Sequence, residues 1–229
     1  MRRICFYISL LAICAAAAGA APAKLSGEGI LRKALDISNA IKDYSADVLV
    51  TVDMPQVKVP QRKARVYFKR PNKVAIDSQG IVMIPRKALV PGNLGPEILK
   101  DAQVTLAGTK VQNGVPVYFL KVAQTGDRRS SDRVLFWVRG DRWTVERMEA
   151  QSAGRAEMSV TWEYQQAGGK YWMPKRLVAT LAAPRNGRHR DPDEPKPKQP
   201  EKPGTVTVVF NNVRVNTGLK DSLFVEKSK

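Results

Sequence analysis

Alternation constrains this chain more than any other feature. Ala46, Val48, Val50, Val52 and Met54 alternate with Asp47, Leu49, Thr51 and Asp53. Ala156, Met158, Val160, Trp162 and Tyr164 form a longer one-faced run. A period of two puts the apolar members of each run on one face of a strand. The pattern returns at Val104–Leu106, Val115–Val122, Val134–Val138, Trp143–Ala150, Tyr171–Ala182 and Thr205–Asn216. Asn113-Gly114, Gly140-Asp141, Gly154 and Gly168-Gly169 supply the turns between them. Pro174 is expected near a sheet edge, because it cannot donate to a ladder. The expectation is a mainly β chain, a meandering antiparallel sheet of about ten strands with few helices.

The stretch Lys63–Ser78, KARVYFKRPNKVAIDS, reads as two short strands joined at Arg70-Pro71-Asn72. Ala64, Val66 and Phe68 share a face, and Arg70 falls on it too. Pro71 ends the pairing, since it lacks an N–H and restricts the residue before it. An inward guanidinium needs acceptors for its five donors, so whatever covers that face must supply carbonyls or carboxylates. The other reading has Arg70 turning outward at the hairpin end.

Ser26–Lys42 has helical spacing. Ile30, Leu31, Ala34, Leu35, Ser38 and Ile41 line one side, with Ser26 as N-cap and Glu28 in the first turn. Such a one-sided helix must lie on something apolar. Lys58–Lys63 is expected as a basic loop. Ile81-Val82-Met83-Ile84 is apolar on both sides. Pro91-Gly92-Asn93 breaks the chain, and Leu94–Lys100 suits a single helical turn. Gly126–Asp132 reads as a polar loop, and Leu219–Val225 as a segment capping the sheet.

Arg2 and Arg3, the apolar run Ile4–Ala18 and the small residues after it make residues 1–23 an expected secretory signal peptide. Residues 24–229 then form one domain, soluble after cleavage, large enough for a real core. Both cysteines, Cys5 and Cys14, fall in the leader, so the mature chain lacks disulfides and thiolate chemistry. Cys14 sits in only a faint likeness of a lipoprotein-processing box. The formal charge is +17, and +15 without Arg2 and Arg3. In an exported protein this suits an anionic membrane surface or acidic polymer rather than nucleic acid, or simply a solvated surface. Pro184–Gly204 holds six prolines and the sole histidine, His189. Residues 184–204 therefore read as an exposed proline-rich loop between two strands.

Chemistry is sparse. One histidine, in that loop, builds neither a triad nor a zinc site, and the glycines form turns rather than a phosphate cradle. The acidic pairs lie among lysines and arginines, as surface ion pairs do. No catalytic residue, metal or cofactor is expected. A large one-faced sheet with two helices is, however, short of cover. If it curves, it wraps a cavity lined by Val50, Val66, Phe68, Ile76, Phe119, Phe136, Met158, Val160 and Trp162, which suits an acyl chain. The alternative is that these residues fill a closed core.

Phe68-Lys69-Arg70-Pro71-Asn72-Lys73 resembles a strand-ending turn of the periplasmic outer-membrane lipoprotein carriers, LolA and its relatives. Gly114-Val115-Pro116-Val117-Tyr118, Leu135-Phe136-Trp137-Val138 and Phe210-Asn211-Asn212-Val213-Arg214-Val215-Asn216, with Leu219 and Leu223-Phe224, resemble later segments of that family in the same order. The resemblance implies an unclosed β-barrel, a curved antiparallel half-barrel, capped by an N-terminal helix and a short middle helix. It implies a non-enzymatic periplasmic carrier or binder of lipid acyl chains, in lipoprotein sorting or transport to the outer membrane. Its partners would be lipoprotein acyl chains or phospholipid, with transient contact to an anionic membrane surface or an envelope protein. It also implies that Arg70 latches a lid closed. Val74-Ala75-Ile76-Asp77 departs from the family, which has an aromatic there, and the middle helical region and proline-rich loop depart too. The rival expectation is an envelope protein-interaction module with a filled core, binding through the proline-rich loop. A monomer is expected on either reading.

Overall fold

The computed structural model describes residues 25–54, 57–78, 89–91, 102–124, 133–183 and 202–225. The expected leader with Cys5 and Cys14, Ile81–Ile84, the expected turn at Leu94–Lys100, the expected loop at 126–132 and the proline-rich run with His189 lie outside the described residues, apart from positions 202–204 of that run.

Among the described residues one α-helix, α1 (Gly27–Asn39), precedes eleven strands: β1 (Asp43–Met54), β2 (Val57–Lys58), β3 (Arg62–Lys69), β4 (Lys73–Ser78), β5 (Ala102–Gln112), β6 (Val115–Gln124), β7 (Arg133–Arg139), β8 (Thr144–Ser152), β9 (Arg155–Ala167), β10 (Tyr171–Leu181) and β11 (Gly204–Val215). A 3₁₀ turn, Asp221–Phe224, follows β11. The sheet runs β4-β3-β1-β11-β10-β9-β8-β7-β6-β5, all antiparallel, with β2 attached to β1. β4 and β5 remain as separate edges, so the barrel is not closed. No described helix is long and apolar enough to cross a membrane.

The helix starts where its cap requires. Ser26 Oγ accepts from the Gly29 N–H at 3.1 Å, and Glu28 lies in the first turn. Ile30, Leu31 and Ala34 are buried against Leu120, Val122, Phe136, Val138 and Val145 of β6–β8. Gly27 lies on the β5 edge. A Cβ there would come within 2.8 Å of the Leu106 amide nitrogen, so the helix start needs a residue without a side chain.

A second cluster fills the other half. Val48, Val50, Val66, Phe68, Val208 and Phe210 from β1, β3 and β11 pack with Val160, Leu177 and Met173 from β9 and β10. Met148 and Trp162 belong to both clusters and join them across the sheet.

Several expectations need correction. Pro174 does not sit at an edge, because β10 lies between β9 and β11. The register slips between Pro174 and Arg176, and this bulge accommodates a residue with no N–H in an interior strand. The basic loop is shorter than expected, since β2 pairs with the end of β1 and β3 begins at Arg62. Trp143 is not in a strand. It closes the β7–β8 turn at φ 52°, a left-handed conformation uncommon for a bulky side chain.

Candidate functional site

The site is built around the end of α1. Past Asn39 the helix runs out of internal donors, and its last carbonyls need partners from elsewhere. Arg70, just beyond β3, supplies them. Its Nε donates to the Ile41 carbonyl at 2.8 Å, and its Nη2 donates to the Ser38 carbonyl at 2.6 Å and the Pro91 carbonyl at 3.4 Å. Its own backbone N–H donates to the Lys42 carbonyl at 2.8 Å. The guanidinium lies 5.8 Å from the centre of the Phe68 ring. The residue thus turns inward, and among the described residues its side-chain acceptors are carbonyls. A cation at a helix C-terminus also complements the helix dipole. Partial burial lowers its pKa, yet a guanidinium keeps its proton at any physiological pH.

The far side of the same joint is held by the segment after β11. Asn216 Oδ1 accepts from the Lys42 and Asp43 N–H groups at 2.7 and 3.3 Å, and its Nδ2 donates to the Ala40 carbonyl at 3.1 Å. The buried Asp43 carboxylate accepts from the Thr217 and Gly218 N–H groups at 2.8 and 3.0 Å. Lys69 and Lys73 reach Asp221 at 2.8 and 3.3 Å and hold its carboxyl below the usual range. The α1–β1 joint is therefore gripped from both sides by segments far away in sequence.

Beneath α1 lies a cavity of about 110 Å³. The helix contributes Ala34, Leu35, Ile37 and Ser38 to it, the 89–91 segment Leu89, Val90 and Pro91, and the sheet Trp143, Val145, Trp162, Tyr164, Trp172 and Met173 among others. Tyr44 and Tyr164 place their rings at this space. Their hydroxyls donate to the Leu89 and Val145 carbonyls at 2.6 and 2.8 Å, and burial raises the pKa of both. Sites that enclose a drug-sized ligand run to roughly 300–1,000 Å³. The space is thus too small for a long acyl chain unless α1 moves.

The sequence-chosen residues divide. Val50, Val66 and Phe68 are fully buried in the β1–β3–β11 cluster, with Ile76 and Met158 partly buried beside them and Val160 buried. Phe136 is buried under α1. Trp162 joins the clusters and is the one of the nine that lines the cavity. Phe119 is a correction. Its neighbour Leu120 packs under the helix, while Phe119 faces away and meets Trp137 edge-on at 5.4 Å. Alternation dictates this once Leu120 is fixed inward. Trp143, Tyr164, Trp172, Tyr44 and Asn216 were not singled out. Only the aromatic spacing in Trp162–Tyr164 gave a signal for any of them, because a turn tryptophan or a distant asparagine has no pattern of its own.

Similar architectures are known. A DUF1329 family protein from Desulfovibrio piger superposes with a TM-score of 0.57 at 14% identity, over 87% of this chain and 97% of that one. A LolA superfamily protein from Nitrosomonas europaea gives 0.53 at 12% identity, over 89% and 99%. A putative outer membrane lipoprotein-sorting protein domain from Vibrio parahaemolyticus gives 0.56 at 13% identity, over 86% and 97%. The fold is the LolA-like half-barrel. No family model and no curated protein matches the sequence. At these identities the likeness concerns architecture alone.

Proposed function

We propose that this protein is an exported, non-enzymatic binder or carrier of lipid acyl chains, acting in the periplasm in lipoprotein sorting or transport. The chains would lie beneath α1, against Trp162 and the apolar faces of β1, β3 and β9. The observation that carries this reading is the placement of Arg70, which suits a latch. Arg70 ties the end of α1 to the 89–91 segment directly over an apolar interior. Breaking these three carbonyl bonds would loosen the side of the α1–β1 joint that faces the 89–91 segment, while Asn216 holds the other side, so the end of α1 could shift over the cavity with the sheet intact. The periplasmic location rests on the leader-like residues 1–23 and on the company of lipoprotein-sorting folds.

Native mass spectrometry of the mature protein from the periplasm, followed by lipid extraction, tests the reading. Co-purified phospholipid or acylated peptide near one-to-one is the expected result. An apo mass that no added lipid shifts would count against it. Arg70→Leu should alter both uptake and release, and unchanged rates for both would remove the latch role.

A second reading is favoured by the small cavity. The interior would be a filled core, and the proline-rich run would bind an envelope protein. Deleting Asp191–Pro203 separates the two. Loss of a partner with lipid binding retained favours the second.

A further inference from the structure

The rings that line the cavity carry cations. Lys33, on α1, places its ammonium 4.3 Å from the centre of the Trp143 ring. That contact is its one interaction among the described residues. Trp143 itself stacks flat on Tyr118, with centroids 5.8 Å apart. Arg142 lies over two further lining rings, 4.7 Å from Trp172 and 5.5 Å from Tyr164. It donates to Glu146 at 2.8 Å and to Thr144 at 3.0 Å, and Arg139 shares that same glutamate at 3.6 Å. With Asp141 paired to Arg139, three cations stand around these rings beside two carboxylates among the described residues.

Trp143 holds its place at φ 52°. A bulky residue in that region is strained, and such strain concentrates where a site is built rather than where a surface is merely solvated. The result is an amphipathic wall: aromatic rings that line the cavity, with the Lys33 and Arg142 cations 4.3–5.5 Å from their centres. An apolar tail would pass between the rings, and its polar end would meet an excess of positive charge.

We infer that the β7–β8 turn with Lys33 is the head-group site for a single- or double-chain amphiphile whose head carries a net negative charge, a phosphodiester lipid being the chemistry that fits. This rests on the acyl-chain reading above and names the class of ligand that the same cavity prefers. Arg142 and Lys33 would hold the anionic head, and Trp143 and Trp172 would flank the first methylenes.

The test is a tryptophan-fluorescence titration of the full mature chain, below the micelle concentration. The probes are lauroyl lysophosphatidylglycerol and lauroyl lysophosphatidylcholine, which share a chain and differ in net head-group charge. The expected result is about tenfold tighter binding of the anionic lipid, the ratio that one charge-assisted contact supplies. Lys33→Gln and Arg142→Gln should each bring that ratio down towards one. Lys110→Gln, an exposed basic residue on β5, should leave it at about tenfold. Lys33 is exposed, so Lys33→Gln is expected to fold, and the test stands even if Arg142→Gln does not. Inorganic phosphate alone should leave the fluorescence unshifted; a shift as large as the lipid's would overturn the amphiphile assignment. Equal affinity for the two lipids, or a preference that survives Lys33→Gln, overturns the head-group site and leaves acyl binding intact. No response to either lipid overturns the acyl reading and this inference together.

Discussion

At the scale of single residues, Arg70 and Asn216 divide the work of holding α1. Arg70→Leu removes the guanidinium donor from the Ser38, Ile41 and Pro91 carbonyls, and the Ser38 carbonyl keeps its bond from the Ile41 N–H at 3.2 Å. A loss of about 2 kcal/mol is expected in urea unfolding, since bonds to a charged group contribute roughly that each and the site is partly wet. Arg70→Lys should recover only part of it, because an ammonium cannot reproduce the planar fork. Asn216 sits at φ 55°, where Asn is better tolerated than most residues. Asn216→Ala removes its bonds and adds strain, whereas Asn216→Gly removes the bonds alone. The alanine variant should therefore be the less stable of the two by about 1 kcal/mol in the same assay.

At the scale of elements, the helix is placed by contact with an edge. Gly27→Val would push a branched side chain into the β5 backbone at Thr105 and Leu106. A destabilisation of about 1–3 kcal/mol is expected, with helix protection in hydrogen exchange lost before that of β10 or β11. The 3₁₀ turn answers to pH. The Asp221 carboxyl is held low by Lys69 and Lys73, and Glu149 by its bond from Gln151 and by Arg147. A depressed carboxylate pKa contributes stability above its unfolded value, and that contribution is lost as pH falls through the folded one. Protection of the 221–224 amides, measured against their intrinsic rates at each pH, should hold down to about pH 4 and fall below it. Asp221→Asn should lack this protection throughout, and a variant indistinguishable from wild type would show the ion pairs to be idle.

At the scale of the molecule, the open sheet carries two packed halves, and Trp162 belongs to both. Its truncation should propagate. Trp162→Ala is expected to cost about 3 kcal/mol and to raise exchange in β1–β3 and in β6–β8 alike. Exchange confined to one half would mean that the halves are independent.

Much of this architecture could be read from residue spacing. The alternation at 46–54 and 156–164 specified strands, the 3.6 period at 30–41 specified the helix, and Ser26 specified its start. These are local facts, set by steric period and by which groups lie within a few residues. Spacing placed Arg70 on the apolar face of its strand but left open whether it turned outward at the hairpin end; the carbonyls of the α1 joint decide that it turns inward. What it would bond to was not legible. The carbonyls of Ser38, Ile41 and Pro91 come from segments whose approach depends on the curvature of the whole sheet. Phe119 was misjudged, because in a run as apolar as Val117–Leu120 alternation alone does not say which parity faces the helix. Pro174 was misjudged because a bulge is settled between strands, not within one. The aromatic wall of Trp143, Tyr164 and Trp172 is likewise tertiary, assembled from a turn and two strands and completed by a lysine on α1. Sequence fixes which face of each strand is apolar, because that depends on neighbours two residues away. Only the folded chain decides which faces meet, how much space they leave, and which charges stand around it.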